Sequence, residues 1–151
     1  MDHATTYLAS ARAQFAYYKA LGEKTFAQLE DDQLFWRADP EGNSIAILVN
    51  HLWGNMRSRW TDFLTTDGEK EWRERDREFE DVITSRAELL ALWEQGWQCV
   101  FDALDTVNAD NFDTTVYIRA GTHHHGRGEP AAVPLRLPRG PARAARSDPE
   151  G

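Results

Sequence analysis

The chain has 151 residues, one cysteine and a formal net charge of −8, with 25 acidic against 17 basic side chains. That length fits one small domain, the lone Cys99 excludes an intramolecular disulfide, and the acidic balance repels phosphate backbones, so no nucleic-acid partner is expected. No N-terminal apolar run suits a signal peptide or a membrane span, which predicts a cytoplasmic protein with no membrane partner.

Apolar residues recur at Tyr7, Leu8, Ala11, Phe15, Tyr18, Phe26 and Leu29. This three-and-four spacing marks one helix face and predicts a first helix over about residues 4–29. Gly22 interrupts it at a cost of about 1 kcal/mol relative to alanine, which packing must offset. Residues 39–43 carry turn chemistry, and Ser44 is placed to cap a second helix over 45–64. Its apolar face is read as Ile45, Leu48, Leu52, Met56 and Phe63, with Trp53 and Trp60 on a neighbouring stripe. Residues 69–81 read as a long surface connection pinned by Trp72 and Phe79, with Arg73, Arg75, Asp76 and Glu78 read as a solvated ion-pair surface and a substrate-anion site as the alternative. Ser85 and Glu88 have capping-box spacing. They open a third helix over 86–104 whose buried face takes Leu89, Leu90, Trp93, Trp97, Val100, Phe101 and Leu104, while Gly96 permits a close helix approach. After a polar turn, residues 114–118 have the β-branched and aromatic pattern of a short strand.

This helical pattern stops near Arg119. The rest of the chain has no aromatic residue and is rich in Gly, Pro, Arg and Ala, with Pro130, Pro134, Pro138 and Pro141 each opposing a helix by about 3 kcal/mol. The sequence therefore divides into a helical body, 1–119, and a tail, 120–151, predicted to be largely disordered. Three helices with an unfilled apolar face call for a fourth, and the tail cannot supply it.

The strings YYKALGEKTFAQL from Tyr17 and NSIAILVNHLWGNMRSRWTDFLTTDGEK from Asn43 resemble the DinB-like superfamily. So do WRERDREFED from Trp72, the helix containing LWEQGW, and VYIR from Val116. The likeness spans roughly residues 15–119 and points to a bacterial branch of unknown function. It implies an all-α, up-down four-helix bundle whose relatives are metal-dependent hydrolases or thiol transferases acting on a small molecule. Many such relatives hold a divalent metal, zinc or nickel, on one second-helix histidine and two fourth-helix histidines four residues apart. His51, in NHLWGNM, matches the first of these. The other two belong in a string such as HYxYHVGQ, which this chain lacks.

The tail is related to that string in a neighbouring reading frame. Residues 131–146 can be back-translated so that a shift of one base reads QLCHYAYHVGQLVLL. A one-base frame change near Ala120 or Gly121 would thus have replaced the fourth helix and removed two of three metal ligands. The resemblance then implies that stable metal binding and catalysis are lost in this chain. A non-catalytic helical module, covered by a second copy in a homodimer, is the competing reading.

The remaining candidates carry less. His123, His124 and His125 form a glycine-flanked run suited to adventitious metal binding and are not assigned as a site. Cys99 reads as a core thiol rather than a nucleophile. The tryptophans Trp36, Trp53, Trp60, Trp72, Trp93 and Trp97 read mostly as core, with Trp60 the best candidate for a pocket wall.

Overall fold

The structure, a computed structural model, describes residues 2–118 and the strand Ala132–Pro134. It is predominantly helical, with α1 at His3–Ala27, α2 at Asp31–Phe35, α3 at Ile45–Trp60 and α4 at Arg86–Thr106. A 3-10 turn covers Asp76–Phe79, and two short strands, β1 (Thr115–Tyr117) and β2 (Ala132–Pro134), pair antiparallel with Val116 opposite Val133.

The helix starts follow local capping chemistry. The Ser44 hydroxyl accepts from the Ile47 amide at 3.1 Å, and the Ser85 hydroxyl accepts from the Glu88 amide at 3.2 Å. Glu88 reaches one residue beyond the expected box, accepting from the Thr84 amide at 3.0 Å. Helix α3 stops at Trp60, short of Leu64, where Asp62 takes a left-handed φ of 48° and its carbonyl accepts from Thr65 and Thr66. The short α2 carries no periodic signal and was not expected. The Gln33 side chain accepts from the Glu30 amide at 2.8 Å, which closes its first turn.

Helix α1 runs antiparallel to α4. Arg12 pairs with Asp105, Lys19 meets Glu94 at 2.7 Å, and the Arg86 guanidinium donates to the Phe26 and Leu29 carbonyls at the end of α1. Contacts between α3 and α4 run in the opposite sense. Trp53 and Met56 meet Gly96, whereas Thr61 and Asp62 share a cavity wall with Cys99 and Asp102, so the two helices are parallel. The expected up-down alternation therefore fails at this pair. The cause is the connection over 61–85, which folds back along α3 and returns the chain to the end where α3 began.

The main core joins Phe26, Leu34, Val49, Ile83, Leu89, Trp93, Trp97 and Val100, and a smaller cluster joins Phe63, Ala103, Val107 and Val116. The expected face of α3 needs correction. Its buried residues are Ala46, Ile47, Val49, Asn50, Gly54 and Ser58, while Leu48 and Leu52 are 45% and 39% exposed. Small side chains let α3 sit close to α4 and to the connection, which leaves the two leucines facing outward. Leu90 and Tyr18 are likewise exposed, as are Trp36 and Trp72, so these two tryptophans are not core residues. The strand at Ala132–Pro134 is a regular element in a tail expected to be largely disordered. Its register places Pro134, which lacks an N–H, opposite Thr115 at the end of the pairing. The expected disorder of the other tail residues concerns positions outside those described.

The Gly22 interruption has a packing cause. A Cβ there would stand 2.5 Å from Trp93 Cζ2, on a ring fixed by edge contacts with Phe26 and Trp97. Gly22→Ala gains about 1 kcal/mol of helix propensity, but overpacking costs about 1–3 kcal/mol. Urea denaturation should show a net loss of stability; an unchanged or higher midpoint would contradict this contact.

Candidate functional site

Asn50, Gly54 and Ser58 recur every fourth residue on α3 and form the strip against which the connection lies. The Asn50 amide donates to the Arg77 carbonyl at 3.3 Å and the Glu78 carbonyl at 3.1 Å. Ser58 donates to the Gly68 carbonyl at 2.5 Å, and Lys70 donates to the Ser58 carbonyl at 3.0 Å. These bonds satisfy buried backbone acceptors and fix residues 67–80 beside the helix.

The Glu78 side chain turns inward from this segment and is only 6% exposed. Its Oε1 accepts from Arg73 Nε at 2.7 Å and its Oε2 from Arg73 Nη2 at 3.0 Å, a bidentate fork. Oε2 also meets His51 Nδ1 at 2.8 Å. Gly54 makes the arrangement possible, because a Cβ there would collide with the Glu78 carboxylate. Arg73 is itself 2% exposed, so the expectation of a solvated ion-pair surface is wrong for Arg73 and Glu78. It holds for Arg75, whose side chain is half exposed and lies 3.9 Å from Glu69, and Asp76 is exposed. Charge density in the sequence reported that ions were paired; it did not report that the segment folds over two of them.

Burial pushes the Glu78 carboxyl up, but hydrogen bonds and positive charge from Arg73, then from His51, outweigh it and hold the group below the usual carboxylate range. An ionised carboxylate only accepts, so His51 Nδ1 carries the proton in this bond. When the ring is neutral, the lone pair lies on Nε2, which makes no hydrogen bond among the described residues. Phe79 stacks on the imidazole at 4.6 Å between centroids and 26° between planes, fixing its orientation. Carboxylate and aromatic together thus present Nε2 outward from α3. This is the usual arrangement around a metal-binding histidine, whose second nitrogen donates to a carboxylate.

One oriented imidazole does not make a centre. Among the described residues no group of three His, Cys, Asp or Glu side chains can hold a metal ion, so the residues described do not fit a complete three-ligand site. His123, His124 and His125 lie outside the described residues. Cys99 is half-buried, and burial pushes its thiol up, as a core thiol requires. Trp60 is half-buried and lines cavities on two sides, one with Cys99 and Asp102 and another with Asn55 and Arg59.

A family model described as protein of unknown function (DUF1572) matches residues 2–126. No curated protein and no solved structure matches the chain. No helix among the described residues is long and apolar enough to cross a membrane.

Glu78 has a measurable signature. Its folded pKa lies below its unfolded value of about 4.3, so the unfolded chain binds more protons between the two values. The stability it contributes is complete above about pH 4.3 and is lost as pH falls through the folded pKa. Glu78→Gln leaves the buried Arg73 with only the Glu69 carboxylate, 3.7 Å from Nη1, as counter-charge and should cost about 3 kcal/mol, flattening that part of the pH profile. An acid transition identical to that of the unaltered chain would contradict this role.

Proposed function

We propose, for a chain that belongs to the DUF1572 family of proteins of unknown function, that it is a DinB-like helical protein built around a divalent-metal position at His51 and that the centre is incomplete in this form. The observation that carries the reading is the Glu78 carboxylate on His51 Nδ1, which orients Nε2 as a ligand at the residue the resemblance singles out. The intact relatives are read as metal-dependent hydrolases or thiol transferases, in which zinc or nickel lowers the pKa of a bound water or thiol. In this chain two of the three histidines are replaced by the tail, through a one-base change of frame near Ala120 or Gly121, and the activity is lost with them.

A second reading is favoured by the exposed apolar residues Tyr17, Tyr18 and Leu21 on α1 and Leu48 and Leu52 on α3. A helical module with such faces is covered by a second copy of itself. Sedimentation velocity separates the readings, since a module of this kind is a dimer whether or not metal is present.

The metal reading is tested by restoring the neighbouring frame across residues 120–146 in the encoding DNA. The restored chain should bind one zinc or nickel ion, and His51→Ala should abolish that binding. The chain with the present tail should bind only weakly and without dependence on His51. Tight, His51-dependent binding by the present chain, or none by the restored one, would overturn the proposal.

A further inference from the structure

Beside Glu78, a cavity of ≈ 230 Å³ opens between α3 and the connection. It is lined by Trp53, Arg57, Trp72, Arg73, Arg77 and Glu78, among others. The Arg57 guanidinium lies over two indoles, 4.6 Å from the Trp53 centroid and 4.8 Å from the Trp72 centroid. Stacked in this way, it keeps its planar N–H edges for an acceptor, yet it forms no salt bridge with a carboxylate among the described residues.

The other two arginines of the lining are already paired: Arg73 is held by the Glu78 fork with the Glu69 carboxylate 3.7 Å from its Nη1, and Arg77 meets Glu74 at 3.1 Å and Glu80 at 3.8 Å. With Arg73 and Arg77 paired, Arg57 brings the one guanidinium of the lining that has no carboxylate partner among the described residues, which suits a monoanion better than a phosphate dianion. The overall charge of −8 does not forbid this, because exposed charges beyond about 8 Å are largely screened at physiological ionic strength.

We propose that this cavity binds a small organic carboxylate, with the Arg57 fork on its oxygens and the Trp53 and Trp72 side chains beside its apolar body. The site does not depend on His51 or on a metal. The probe is benzoate, with benzamide as a neutral molecule of the same shape, added to the full-length ¹⁵N-labelled chain. The indole N–H signal that disappears in Trp53→Phe should shift saturably with benzoate and not with benzamide. Arg57→Gln should weaken benzoate by about tenfold or more, and Arg57→Lys, which keeps charge without the planar fork, should fall between the two. A benzoate response no larger than that of benzamide would overturn the proposal, and that comparison stands even where Arg57→Gln fails to fold. Unchanged affinity in a folded Arg57→Gln chain would also overturn it.

Discussion

A carboxylate removed from water stays ionised only when cations and donors replace the lost hydration, and Glu78 has such replacements on both oxygens. Arg73 supplies a fork, His51 a ring N–H, and Gly54 the space into which the carboxylate fits. Each partner requires the connection to lie along α3. Asn50 and Ser58 hold it there by bonding to the backbone on either side. The path of the connection in turn sets the direction of α4, which runs parallel to α3 and offers Leu89, Trp93, Trp97 and Val100 to the core. The polar cluster and the helix order are thus two results of one chain path.

Helix starts were legible because capping is local. Ser44 and Ser85 each need only an amide three residues ahead, and the β-branched run before Ile118 needs only its own alternation. Faces were less legible. Leu48 and Leu52 have core chemistry and core spacing, but α3 turns its small residues inward, because Gly54 admits a carboxylate and α4 approaches through its own Gly96. Arg73 and Glu78 have the chemistry of a surface, and nothing in a run of charges says which pair another element covers. The available signal was the polar and small triplet Asn50, Gly54 and Ser58 at four-residue spacing, an unusual stripe for a helix face meant only for solvent.

The resemblance selected His51 as a ligand position, and the geometry supplies a physical reason for its orientation. A histidine with no fixed partner divides its proton between two nitrogens and samples several rotamers. Here the Nδ1 proton is donated to Glu78 and Phe79 holds the ring plane, so Nε2 is the nitrogen without a hydrogen bond among the described residues. The same carboxylate forms part of the wall around Trp53 and Arg57, so the imidazole and the cavity share one buried charge.

The central claim is that charge on Glu78 fixes the His51 tautomer, and ¹⁵N chemical shifts of the His51 ring report this directly. At alkaline pH, where the ring is neutral, the account predicts the proton on Nδ1 with Nε2 unprotonated, and loss of that preference in Glu78→Gln. A ring protonated on Nε2, or divided equally between the two nitrogens in the unaltered chain, would contradict it.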